Sequence, residues 1–229
     1  MRKVLVLPTA CALTALLAAC AGHSSQSSHA AVPAPLPADS AARLEARYRV
    51  HADSATRNFT AADVAFMTGM ISHHGQALVM AAMIPERTTS SAMRTLGGRI
   101  TNAQKDEIRL MQQWLSERNL PVPVPDTSGG MAMMPGMDHS MMNMSHAMMP
   151  GMLTPQQLQE LRAASGPAFD RLFLQDMIQH HSGAITMVDT LFNTNGAAQD
   201  ETVFKLASGV RVDQVTEIER MRLMLQALR

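Results

Sequence analysis

The residues with the most chemical potential are histidines in a repeated pattern. Met70-Ile71-Ser72-His73-His74 returns as Met177-Ile178-Gln179-His180-His181. Aligned on Asp63 and Asp170, the copies match without a gap at Phe66/Phe173, Met70/Met177, Ile71/Ile178, His73/His180, His74/His181, Ala77/Ala184 and Met80/Met187. Four of the nine histidines fall in these copies. Imidazole nitrogen and thioether sulfur are borderline-to-soft donors, a set that suits Cu(I) and, through imidazole, Cu(II) or zinc. A single histidine in an apolar stripe has a simpler account, in which one ring nitrogen meets a backbone carbonyl and the rest packs. Here both copies place histidine at the same position, with methionine three residues before it and seven after. Four imidazoles buried together without a metal would each carry a polar demand of a few kcal/mol if unmet.

The spacing of the apolar residues shows what must position these donors. Phe66, Met70, His73, Ala77, Met80 and Ile84 recur at intervals of 4-3-4-3-4, and so do Phe173, Met177, His180, Ala184, Met187 and Leu191. That interval is the seam of a helix packed in a bundle. Thr60 and Asp63 form a helix start, and Pro85 forbids the next turn beyond Ile84. A partner helix from near Ser90 to about Arg118 aligns Gln104, Ile108, Met111 and Leu115, with Glu107 beside them; Gly97 and Gly98 weaken it locally, which suits a close backbone approach. Its counterpart, from about Asp200, aligns Gln214, Ile218, Met221 and Leu225 with Glu217. A helical hairpin thus occurs twice, which predicts an all-α, four-helix bundle. If the copies face each other, His73 and His180 meet centrally with Met70, Met80, Met177 and Met187 nearby. His74 and His181 point about 100° away and flank the seam. Glu107 and Glu217 either orient a histidine from behind or lie on a solvated face. A di-iron carboxylate centre would need Glu-x-x-His twice; Met70 and Met177 stand in that place, and the chain contains no Glu-x-x-His.

The N-terminus reads as an address. Arg2 and Lys3 precede an apolar stretch ending Leu17-Ala18-Ala19-Cys20, too short for a spanning helix and similar to a bacterial lipobox. Residues 1–19 are therefore expected to be a lipoprotein signal peptide, with Cys20 lipidated and residues 20–38 a flexible tether rich in Ser, Ala and Pro. Cys11 leaves with the signal and Cys20 carries lipid, so no thiolate site or disulfide remains. The processed chain has 17 basic and 19 acidic residues, a balance that argues against nucleic acid and leaves the lipid as the membrane contact. Residues 39–118 are expected to hold an N-terminal helix and the first hairpin. Residues 119–152 form a Pro- and Met-rich linker, and residues 153–229 the second hairpin, introduced by a short helix capped by Thr154, Pro155 and Gln157. Ten of the 21 methionines lie in 131–152 without a helical or strand period. Met137, His139, Met141, Met144 and His146 in this tract are candidate exposed copper ligands, on what reads as a mobile loop.

Asp-x-x-Phe-x-x-x-Met-Ile-x-His-His-x-x-Ala-x-x-Met, followed by Gln-x-x-Glu-Ile-x-x-Met, resembles the family long called domain of unknown function 305. That family includes CopM-like extracytoplasmic copper-binding proteins and is grouped with ferritin-like bundles. The resemblance covers about residues 60–115 and 153–225. It implies copper binding through His73, His74, His180, His181 and neighbouring methionines, and a part in copper tolerance. The function expected is that of an extracytoplasmic lipoprotein that sequesters or delivers copper, Cu(I) favoured and Cu(II) possible. It would work on the periplasmic face of an outer membrane, beside a copper efflux or oxidase protein. The alternatives are a cuprous oxidase or similar redox bundle, for which no catalytic constellation is visible, and a structural envelope lipoprotein whose histidines merely pack. Ordinary imidazole ligands would weaken binding as the pH falls through about 6.5.

Overall fold

The structure, a computed structural model, describes residues 40, 42–47, 58–125 and 149–228. The chain divides into two compact units, residues 1–42 and 43–229, and the helical bundle lies within the second. The signal peptide, the tether, most of the expected N-terminal helix and the methionine tract through residue 148 lie outside the described residues. With them lie Cys20, Met137, His139, Met141, Met144 and His146.

Residues 40 and 42–47 are helical, and six helices are described throughout their length: α1 (Ala61–Ala82), α2 (Ile84–Arg87), α3 (Ser91–Glu117), α4 (Pro155–Ala163), α5 (Gly166–Phe192) and α6 (Glu201–Ala227). Three of the four long helices start where a side chain can absorb unpaired N–H groups. Thr60 and Asp63 cap α1 reciprocally, Ser90 accepts from Met93 N–H, and Asp200 accepts from Thr202 and Val203 N–H. Thr154, Pro155 and Gln157 begin α4 as the expected capping box. Pro85 does end α1, but it also opens the single turn of α2, because a proline in a first turn forfeits no helical hydrogen bond.

The hairpins α1/α3 and α5/α6 are the main packing units, and α1 lies against α5 to join them. Two apolar clusters fill the bundle. One gathers Met70, Ile108, Met111, Trp114, Val188 and Val210. The other gathers Met80, Met93, Ile100, Phe173, Met177, Ile218 and Met221. Side-chain bonds bolt the hairpins together at the first cluster's end: Ala198 N–H donates to Asp63 Oδ1 at 2.7 Å, Trp114 Nε1 to Asp200 Oδ1 at 3.1 Å and Arg118 to Asp200 Oδ2 at 2.6 Å. Gly97 meets the Ile84 side chain rather than a backbone, since a Cβ there would sit 2.4 Å from Ile84 Cδ1; Gly98 faces open space. Among the described residues no helix is long and apolar enough to cross a membrane.

Candidate metal centre

A polar layer separates the two apolar clusters, and all four long helices contribute to it. On α1 it lies between Met70 and Ala77, on α5 between Met177 and Ala184, on α3 between Ile100 and Ile108, and on α6 between Val210 and Ile218. His73, His74, His180 and His181 are fully buried there, Gln104, Gln214 and Glu107 nearly so. Of the twelve buried side-chain nitrogen and oxygen atoms without a hydrogen-bond partner among the described residues, nine belong to this layer. Each unmet atom costs about 1–3 kcal/mol, so apolar residues would pack these positions more cheaply.

The His73 and His180 rings stack at the centre, with centroids 3.9 Å apart and planes inclined by 39°. His73 Nε2 lies 3.1 Å from the Pro150 carbonyl, and His180 Nε2 lies 3.0 Å from the His73 carbonyl. A carbonyl only accepts, so both Nε2 atoms carry hydrogen and both Nδ1 atoms keep their electron pairs. His181 Nε2 donates to Glu217 Oε2 at 2.7 Å, which sets the same tautomer. His74 Nε2 stands 2.8 Å from Glu107 Oε2, off the line of a hydrogen bond. An electron pair there would repel the carboxylate, so this ring also carries its hydrogen at Nε2. All four Nδ1 atoms are buried and unpartnered. A backing hydrogen bond on one ring nitrogen and a free electron pair on the other is the arrangement of a metal-ligating histidine.

Burial, reinforced by the charge of neighbouring imidazoles and opposed by the Pro150 carbonyl, pushes the His73 pKa down to about 3. Burial, then His73, His181 and His74, holds His180 well below its ordinary value. Protonation of His73 is therefore disfavoured in the folded protein at the pH near 6.5 where an unperturbed imidazole takes up a proton.

The four seam methionines do not surround the imidazole pair as one shell. Because α1 and α5 run antiparallel, Met70 and Met187 pack on the side of the first cluster, Met80 and Met177 on the side of the second. The stacked pair thus has thioethers above and below it. Among the described residues, no three His, Cys, Asp or Glu side chains converge as a ready-made cage. The donors that this layer holds are imidazole nitrogens, with thioethers on either side of it.

Residues 63–225 match the profile of the family described as Domain of unknown function (DUF305). The chain belongs to this family. No curated protein matches it. Among solved structures it is similar to a putative secreted DUF305 protein from Streptomyces coelicolor, at 26% identity and TM-score 0.60 over 73% of this chain and 93% of that one. It is equally similar in fold to a DUF305 fragment from Deinococcus radiodurans, at 28% identity and TM-score 0.60 over 74% of this chain and 98% of that one. CopM in its Cu(II)-bound form aligns at 28% identity and TM-score 0.54, over 73% of this chain and 97% of that one.

Several contributors to the layer are not evident from residue type. Glu107 and Glu217, which sequence reasoning leaves equally open to a solvated role, back His74 and His181. Gln104 and Gln214 carry a signal that is present but easily passed over, a polar residue in an apolar seam at the same place in both repeats. The Pro150 carbonyl has no sequence signal. Glu217 also lines a cleft of about 440 Å³ between α3 and α6, with Arg99, Asp213 and Arg220 at its walls. Burial, with Glu107 and Glu217 adding to it, raises the Asp213 pKa.

Proposed function

We propose that this protein binds copper outside the cytoplasm through His73, His180, His74 and His181, with thioethers from Met70, Met187, Met80 and Met177 completing the set. The observation that carries the proposal is the stacked His73–His180 pair, whose unpartnered, buried Nδ1 atoms keep their electron pairs. Charge favours Cu(I). The cost of transferring an ion into a poorly solvating medium rises with the square of its charge, and imidazole and thioether are neutral. Thioethers also select Cu(I) over harder ions. Family membership supports the reading, since CopM has been solved in Cu(II)-bound, Cu(I)-bound and Ag-bound forms.

The role that fits is sequestration or delivery by a lipoprotein tethered through Cys20, with Met137, His139, Met141, Met144 and His146 as further ligands and an envelope copper protein as partner. The domain plan belongs to the same proposal: signal peptide to residue 19, tether to 38, and two hairpins joined by a methionine-rich linker. The test is anaerobic Cu(I) titration of the chain from Ala21 onward. His73→Ala/His180→Ala is compared with a deletion of residues 131–148. Loss of the tightest copper in the double variant is the expected outcome. Unchanged stoichiometry and affinity there, with loss only in the deletion, moves the function to the tract. Oxygen consumption on addition of Cu(I) would instead favour a cuprous oxidase.

A further inference from the structure

A short strap crosses the α1/α5 face directly over the polar layer. It comprises residues 149–153 and is held by bonds on both helices. Gln76 of α1 grips Leu153 from both sides, its Nε2 donating to the carbonyl at 3.0 Å and its Oε1 accepting from the N–H at 2.7 Å. On α5, Gly183 lets the strap backbone touch the helix, for a Cβ there would lie 2.0 Å from the Pro150 oxygen. Gly151 has φ +76, and a Cβ on it would meet the Gln179 carbonyl at 2.6 Å. Both positions therefore demand glycine. The Pro150 carbonyl faces His73 Nε2.

This anchoring puts Met149 in a defined place. A Cβ on Gly69 would lie 3.7 Å from Met149 Sδ and 3.3 Å from the Met187 methyl carbon, so both thioether side chains converge over the bare backbone of Gly69, one turn before His73. The repeat supplies an internal contrast. Gly69 aligns with Asp176, a buried carboxylate with one unpartnered oxygen. The paired-thioether arrangement is built on one side of the layer.

Resting on the copper function proposed for the imidazole layer, we infer that Met149 and Met187 form an outer two-thioether site for a soft monovalent cation next to His73, adjoining that layer, to whose donor set Met187 also belongs. Two neighbouring thioether side chains offer no hard donor, so the site takes Cu(I) or Ag(I) and rejects Zn(II). Met149 belongs to the methionine-rich stretch of sequence, and its strap touches His73. The site therefore stands where an ion carried by thioethers can be passed to imidazole.

The test uses Ag(I), which is redox-inert, and the methionine methyl signals of the chain from Ala21 onward in carbon-13 NMR. The Met149 and Met187 methyl signals, assigned from Met149→Leu and Met187→Leu, are expected to shift together at the same equivalent of Ag(I). Met149→Leu is expected to weaken the Met187 response by about tenfold while the imidazole signals still titrate. Gln76→Leu keeps both sulfurs, releases their anchor and is expected to weaken the pair in the same direction; Zn(II) leaves both signals in place. A Met187 response unchanged in Met149→Leu overturns the inference while leaving the imidazole site standing. Absence of any response from methyl or imidazole signals overturns the copper reading itself.

Discussion

The two hairpins carry one motif and put it to different uses. Asp63 and Asp170 align, yet Asp63 accepts from Thr60 N–H, Thr60 Oγ1 and Ala198 N–H, while Asp170 is buried with an unpartnered Oδ1. The cause lies three residues upstream, where Pro167 stands in the place of Thr60. Proline offers no hydroxyl cap, so α5 starts farther back at Gly166, and its aspartate falls beyond the third helical position. Likewise Gln76 aligns with Gly183: one grips the strap and the other makes room for it. His73 is backed by the strap carbonyl and His180 by the His73 carbonyl. Duplication sets the level of each residue along the bundle, and what lies opposite decides its role.

The hardest blow to this comparison falls on the imidazole pair. If the inequality is confined to the backing carbonyls, His73→Ala and His180→Ala each lower Cu(I) affinity by more than the roughly 10–100-fold that loss of an outer partner costs. Competition with a Cu(I) chelator measures both. A large loss in one and none in the other would break the equivalence.

Acid tests the pair in the copper-free protein. Both pKa values are lower folded than unfolded, so the unfolded chain takes up protons first. The stability at stake is fully present above the unfolded pKa of about 6.5 and is lost as the pH falls towards 3. Between pH 6.5 and 5 His73 is expected to remove about 1–2 kcal/mol, with His180 acting in the same direction, read from urea unfolding, and glutamine at both positions flattens the slope. An equal slope in that variant would mean the imidazoles do not govern acid stability.

The aspartates separate next. Asp63→Ala loses the reciprocal cap and the tie to Ala198 and is expected to cost about 2–3 kcal/mol. Asp170→Ala is expected to cost under about 1 kcal/mol. Equal losses in melting temperature would show that the aligned aspartates contribute alike after all.

A modest effect of opposite sign belongs to Asp176. Burial, then Glu160, raises its pKa to about 6, so stability is lost as the pH rises from 3.8 through about 6 and stays lost above it. Asp176→Asn is expected to raise the melting temperature at pH 7.5 by a few degrees, on the order of 1 kcal/mol, and to change little at pH 4. Stabilisation of equal size at both pH values would point to packing instead of charge.

Much of this was legible in residue spacing. The 4-3-4-3-4 interval marks α1 and α5, the matched Gln-x-x-Glu-Ile marks α3 and α6, and Thr154-Pro155 marks the start of α4, because helix periodicity and capping are local. The pairing of His73 with His180 follows from placing two equal seams face to face. The distribution of methionines was not legible: equal spacing does not say which thioether shares a level with which, and antiparallel packing sets Met70 level with Met187. The glutamates were undecided because a carboxylate on a helix looks the same from its sequence whether water or an imidazole faces it.

Residue order alone specifies a duplicated helical hairpin with a soft donor set at matched positions. Those properties depend on residues three and four apart, whose relation a helix fixes. Packing between helices sets the chemistry around those donors: which carbonyl or carboxylate backs each ring, which nitrogen keeps its electron pair, and that Met149 comes to rest beside Met187. The bond from His180 to the His73 carbonyl joins residues 107 positions apart, and no local rule specifies such a contact.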